Sequence, residues 1–151
     1  MSRIVNSVVI DRPIEDVFAV LTDVEKTGVW FPGEVKEHWT SPPPHGVGST
    51  RHAVAKVFGM RTENDAVAIE YDPPHRAAMA GTSPNAPFVT ALDFRPEGSV
   101  TRVDVTTDLN FQGAQRLLGP VFSRLMARQW GKGLLTLKRL MESGELTPGS
   151  A

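Results

Sequence analysis

The chain has 151 residues, 40% hydrophobic and 22% charged, which suits one globular domain with a single core. Its formal net charge of −1 gives no general attraction to nucleic acid or anionic membranes, and the absence of cysteine excludes disulfides and thiolate metal sites. The sequence has no apolar run long enough to span a bilayer and no signal-peptide pattern at its start, so it predicts a cytoplasmic protein without an integral membrane segment.

The first quarter of the chain predicts one strand followed by two short helices. Residues 4–10 are rich in β-branched side chains and predict the strand. Pro13 suits the first turn of a helix. Thr22 and Glu25 have the spacing of a capping box, which predicts the start of a second short helix. That helix should end at Trp30-Phe31-Pro32-Gly33, where proline and glycine break it.

From residue 34 to residue 111 the pattern changes to short β-prone segments separated by turns. Connections this short favour antiparallel neighbours. In the last segment the odd-numbered positions from 103 to 111 are apolar or Thr and the even-numbered ones are polar, which predicts one covered face and one solvent face. The six predicted strands are 34–40, 49–57, 63–72, 75–81, 87–95 and 100–110.

Residues 120–142 carry an apolar stripe at helical spacing and predict one long C-terminal helix. Residues 143–151 contain Gly, Ser and Pro and predict a flexible tail. A single helix about 10 Å wide cannot cover seven strands about 4.8 Å apart, so the sheet must curl around it and leave a gap. The predicted fold class is therefore α+β, a curved antiparallel sheet of about seven strands around a long C-terminal helix, with two short helices after the first strand.

The order and spacing of six short segments carry a resemblance to a known group of proteins. The segments are 10–18 (IDRPIEDVF), 21–23 (LTD), 30–32 (WFP), 46–49 (GVGS), 70–74 (EYDPP) and 134–138 (LLTLK). Together they resemble the START-like helix-grip superfamily (SRPBCC), and within it the polyketide cyclase/dehydratase and lipid-transport group. The resemblance implies a single START-like ligand-binding domain over residues 1–142 with a ligand cavity. It does not imply one reaction, because the superfamily holds carriers, cyclases and co-chaperone-like domains.

No pattern in the sequence predicts a cofactor or a metal. The four histidines form no HExxH or HxxxH pair, and Gly46-Val47-Gly48-Ser49 lacks the third glycine of a dinucleotide loop and leads into a strand. A histidine inside the cavity is nevertheless a candidate general base for a cyclase. His38 and His52 lie within predicted strands, and their facing stays open at this stage. His45 and His75 are expected in solvent-facing loops.

The large apolar residues around the last helix are the candidate ligand contacts, with ordinary core packing as the alternative for each. Asn6 and Arg51 are further candidates for orienting polar contacts. The ligand is expected beside the first half of the helix. The basic residues at 124, 128 and 132 recur every four residues and predict a solvated outer face, with an anion-binding stripe as the alternative. The candidate ligand-binding residues are Trp30, Phe31, His52, Tyr71, Phe88, Phe111, Phe122, Met126 and Trp130.

Three functions follow from this reading, in order of preference. The first is binding or transport of a hydrophobic small molecule, either a lipid or a polyketide-like compound. The second is an aromatase/cyclase or dehydratase that uses general acid–base residues of the same cavity, without a metal or nucleotide cofactor. The third is a protein-interaction module. The expected partner is a hydrophobic small molecule and no nucleic acid, and a homodimer is left open.

Overall fold

The computed structural model describes residues 2–57, 59–82, 87–111 and 113–149. Within these residues seven antiparallel strands form one curled sheet, which confirms the predicted fold class and strand number. The strands are β1 (Ser2–Ile10), β2 (Glu34–Trp39), β3 (Thr50–Val57), β4 (Met60–Asp72), β5 (Arg76–Thr82), β6 (Phe88–Glu97) and β7 (Val100–Leu109). Their order across the sheet is β1-β7-β6-β5-β4-β3-β2, so β1 and β2 form its edges.

Two short helices follow the first strand and a long helix follows the last one, as predicted. The helices are α1 (Ile14–Thr22), α2 (Thr27–Trp30) and α3 (Gly119–Glu142), with 3₁₀ turns at Val24–Lys26 and Gly113–Leu117.

The predicted capping box at Thr22 is wrong. Thr22 closes α1, and its hydroxyl donates to the carbonyl of Phe18 at 2.7 Å, the backward bond that threonine makes inside helices. The side chain of Asp23 instead accepts the backbone N–H of Glu25 at 3.1 Å. An aspartate one position later therefore caps the 3₁₀ turn that leads into α2.

The predicted alternation of β7 is confirmed. Val103 and Val105 are buried in the main core, whereas Asp104 and Asp108 lie on the opposite face. There the Arg3 guanidinium contacts the carboxylate of Asp108 at 2.7 Å, and Asp104 takes part in similar surface ion pairs. One face of the sheet is thus covered and the other is solvated.

Helix α3 packs against β1 and α2. Gly133 lies where α3 meets α2, and an ideal Cβ there would come within 3.2 to 3.3 Å of Pro32 and Trp30. The missing side chain therefore lets the two helices approach closely. On the other side, the Asn6 amide of β1 donates to the carbonyl of Ala127 at 3.1 Å, so Asn6 faces α3.

The chain continues into the core beyond α3. Leu146 lies inside the segment expected to be a flexible tail, yet it is only 3% exposed and belongs to the main core cluster. Its backbone N–H donates to the carbonyl of Leu140 at 3.0 Å, which turns the chain back onto the helix.

Candidate functional site

The concave face of the sheet, which faces the helices, is the candidate site. Strand register aligns five residues on this face across β3 to β7. Three of them, at the β3, β4 and β5 positions, are an arginine, an alanine and a glycine, so two of the three are small. Small residues leave room above the sheet for other side chains or for a ligand. The row is Arg51, Ala66, Gly81, Phe88 and Leu109.

A buried polar group occupies the β2–β4 end of this face. The Nε of Arg51 lies 3.5 Å from a carboxylate oxygen of Glu37, and the two side chains are only 8% and 14% exposed. A second guanidinium nitrogen of Arg51 donates to the side-chain oxygen of Asn64. Burial raises the pKa of Glu37 and lowers the pKa of Arg51, because each charged form loses water. This is a buried ion pair with a neutral amide partner.

Phe88 joins the polar group to an apolar one. The Arg51 guanidinium carbon lies 5.9 Å from the centre of the Phe88 ring. The ring covers Gly81, where an ideal Cβ would lie only 2.2 Å from the tip of the ring. Glycine at position 81 is therefore what admits the phenylalanine. We call the apolar group beyond it the Phe88 cluster; its residues are Ile4, Phe88, Leu109, Phe111, Met126 and Ala127.

The start of α3 forms the outer margin of the Phe88 cluster. Phe111 and Phe122 meet edge to face with their ring centres 5.5 Å apart. Gly119 follows the same pattern as Gly81, since an ideal Cβ would lie 3.1 Å from the ring of Phe111. Phe122 is exposed, so the cluster extends from the concave face to the molecular surface.

A second aromatic group, the tryptophan cluster, lies further along α3. The rings of Trp30, Phe31 and Trp130 contact one another with centre distances of 5.2 to 5.9 Å. All three pack within or against the main core.

Three buried polar atoms along α3 have no hydrogen-bond partner among the described residues. They are Oδ1 of Asn6, Nε1 of Trp30 and Oε1 of Gln129. Buried polar atoms are usually satisfied by protein, water or ligand. The helix interface can therefore still accept polar contacts.

Two of the predicted contact residues lie away from these groups. His52 is on the convex face, where its ring nitrogen lies 2.8 Å from a carboxylate oxygen of Asp65, and the inward orientation considered for it is wrong. The hydrogen bond with Asp65 raises the pKa of His52. The physical reason is register: Arg51 takes the inward position, so its neighbour in the strand must face outward.

Tyr71 lies in a different cleft. Its ring contacts Phe18 edge to face at 5.5 Å, and its exposed side lines an open cleft of about 600 Å³ between α1 and the β2–β3 connection. Trp39 and His45 line the same cleft, with their rings stacked 3.9 Å apart. Of the candidate residues, the structure brings the other seven together in the two clusters that α3 covers.

Sequence reasoning missed Glu37 and Asn64. A signal for Glu37 was present, because it alternates with Val35 and Trp39 and so places a charge on an otherwise apolar strand face. Asn64 left no such signal, since exposed polar residues surround it on β4.

Two searches of the described residues bear on other functions. No group of three or more His, Asp or Glu side chains is arranged to hold a metal ion. No described helix is long and apolar enough to cross a membrane.

Comparison with known proteins gives the family. A sequence profile described as polyketide cyclase/dehydrase and lipid transport matches residues 1–142. The Mycobacterium tuberculosis (strain H37Rv) protein Rv1546 is 27% identical over 137 residues, covering 87% of this chain and 92% of that protein. The crystal structure of TTHA0849 from Thermus thermophilus is similar with a TM-score of 0.78 at 18% identity, covering 96% of this chain and all of that one.

A third similar structure is DynU16, from the dynemicin biosynthetic locus. Its TM-score is 0.68 at 15% identity, and the match covers this whole chain and 50% of DynU16. At these identities the two solved structures show a shared fold. The match of the profile to nearly the whole chain shows more: the chain belongs to the polyketide cyclase/dehydrase and lipid transport family.

Proposed function

We propose that the chain binds an apolar small molecule, a lipid or a polyketide-like compound, against the concave face of the sheet beside the first half of α3. Membership of the family supports a hydrophobic ligand. The observation that carries the proposal is the buried pair of Glu37 and Arg51 next to the Phe88 cluster. A few polar groups set in an apolar surface are typical of small-molecule sites.

The proposed ligand has an apolar body and an oxygen acceptor at one end. Arg51 carries five N–H donors, and its Nε has no hydrogen-bond partner among the described residues apart from the ion-pair contact with Glu37. A carbonyl or carboxylate oxygen of the ligand would meet these donors. The apolar body would contact Phe88, Phe111 and Met126, all partly exposed. Trp30, Phe31, Phe122 and Trp130 are proposed to line the far end.

Tryptophan fluorescence tests this proposal. The chain contains three tryptophans, so Trp39→Phe leaves Trp30 and Trp130, both in the tryptophan cluster, as the reporters. We expect a member of a panel of fatty acids, sterols and aromatic polyketides to change the emission of this variant in a saturable way. Met126→Lys in the same background should abolish the change, because an unpaired charge in an apolar site costs several kcal/mol.

Met60→Lys is the matched control, since Met60 is exposed at the β3–β4 turn. It should bind as well as the parent. Circular dichroism checks the fold of each variant, and Met126→Gln replaces Met126→Lys if the charge prevents folding. No saturable change with any compound, or equal binding by the Met126 and Met60 variants, would overturn the proposal.

A second candidate function, cyclisation or dehydration of a poly-β-keto chain, is favoured by one observation. Glu37 is a buried carboxyl with a raised pKa next to Arg51, and such pairs are candidate general acid–base groups. Similarity to a protein of the dynemicin locus supports this reaction class. Turnover of a poly-β-keto thioester that disappears in Glu37→Gln, while ligand binding persists, would favour the enzyme. Binding without turnover in the parent chain would favour the carrier.

A further inference from the structure

The end of the molecule where α3 begins exposes an unusual concentration of apolar side chains. Five large residues within nine positions are exposed there, and the first three are 86%, 65% and 59% exposed. Contiguous exposed apolar patches typically mark interaction sites, whereas scattered single residues do not. The five residues, which we call the docking surface, are Leu117, Leu118, Val121, Phe122 and Leu125.

The same segment has a charge that the net value of the chain conceals. Residues 109–141 contain six basic side chains and no acidic one, so a chain of net charge −1 carries +6 here and −7 elsewhere. Arg116, Arg124 and Arg128 are exposed beside the docking surface. Neither Arg124 nor Arg128 forms an ion pair within the described part of the chain.

We propose that this surface docks on an anionic lipid bilayer, with the apolar side chains among the acyl chains and the arginines at the headgroups. Apolar residues flanked by uncompensated cations are the pattern of helices that lie in a membrane interface. A second copy of the chain fits less well, because a two-fold contact through this face would set like charges against each other. The proposal stands apart from the ligand proposal, and neither requires the other.

The proposal gives the margin of the Phe88 cluster a second role. Phe122 belongs to the docking surface and also contacts Phe111 of that cluster. A docked bilayer would therefore border the same end of the concave face.

Co-sedimentation of the full chain with vesicles tests the proposal. We expect no binding to phosphatidylcholine vesicles and binding to vesicles that also contain phosphatidylglycerol, weakened by added salt. Leu118→Ser should weaken binding; serine is favoured at the N-cap position that Leu118 occupies, so the helix should persist. Arg124→Glu and Arg128→Glu should each weaken binding about tenfold or more.

The matched controls are Val47→Ser and Lys36→Glu, at exposed positions outside the segment. Both should bind like the parent. The proposal is overturned if the phosphatidylglycerol vesicles do not bind the parent, or if the controls lose binding as the variants do. It is equally overturned if the parent dimerises in solution and Leu118→Ser abolishes that dimer without altering vesicle binding, which would make the surface a contact between copies.

Discussion

At the scale of single residues, the pair of Glu37 and Arg51 is the most informative feature. Both side chains are almost fully buried, and burial disfavours the charged form of each. Such a pair contributes little net stability compared with apolar residues of the same size. Its retention on a concave face is more easily understood as part of a binding or catalytic site than as a structural device.

Replacing Arg51 by methionine should reduce the free energy of unfolding by about 3 kcal/mol at neutral pH, because a carboxylate would stay buried without its cation. The raised pKa of Glu37 sets the pH dependence. The protonated form is preferred in the folded state, so its stability contribution is full below the ordinary pKa of glutamate and is lost as the pH rises through the raised value. The loss in Arg51→Met should therefore grow from acidic to neutral pH in denaturant unfolding.

The double variant Glu37→Gln with Arg51→Met provides the control. It has no carboxylate at position 37, so its stability relative to the parent should lack this growth. A loss in the single variant that is independent of pH would contradict a buried, coupled carboxyl.

At the scale of elements, close backbone approach positions the aromatic side of the site. Gly28 of α2 lies against β2, and an ideal Cβ there would come 2.3 Å from the carbonyl oxygen of Val35. Because that oxygen belongs to the backbone of a sheet strand, it cannot move aside as a flexible side chain would. The helix that carries Trp30 is held at this distance by the absence of one carbon atom.

Gly28→Ala should lower the free energy of unfolding by about 1–3 kcal/mol, the cost of forcing atoms into an occupied space. It should also alter the tryptophan emission, since Trp30 must move with α2. Gly46→Ala is the control, because an ideal Cβ there meets only the Tyr71 ring at an ordinary 3.8 Å. Equal stability of the two variants in thermal and denaturant unfolding would show that α2 adjusts without cost.

At the scale of the whole molecule, the last residues close the core beneath α3. The turn after the helix returns Leu146 to the main cluster, where it packs with residues of the first strand and of α3. The domain therefore extends past Glu142, the position at which the helical pattern of the sequence ends.

A chain that ends at Glu142 should lose about 2–4 kcal/mol of stability, comparable with the removal of a buried leucine side chain. Leu146→Ala in the full chain should lose a similar amount. A chain that ends at Pro148 keeps Leu146 and should match the parent in denaturant unfolding. If the shortest chain were as stable as the parent, the burial of Leu146 would contribute nothing to the fold.

The sequence by itself determined the order of the elements and most of their bounds. The helical stripe of residues 120–142 and the alternation within β7 are local patterns, and local periodicity reports directly which side of an element is covered. The facing of β3 was not determined in this way. Its two alternating sets each mix apolar and polar residues, so either Arg51 or His52 could have faced the core.

Only the tertiary structure decided which residues form the site. Register between strands turned Arg51 inward beside Glu37 and left His52 outside with Asp65. The fit of the Phe88 ring over Gly81, and the return of Leu146 to the core, depend on segments far apart in the chain or on turns without a periodic pattern. Periodicity reports how one element meets its surroundings, whereas partners across the fold are chosen by packing, register and the cost of burying charge.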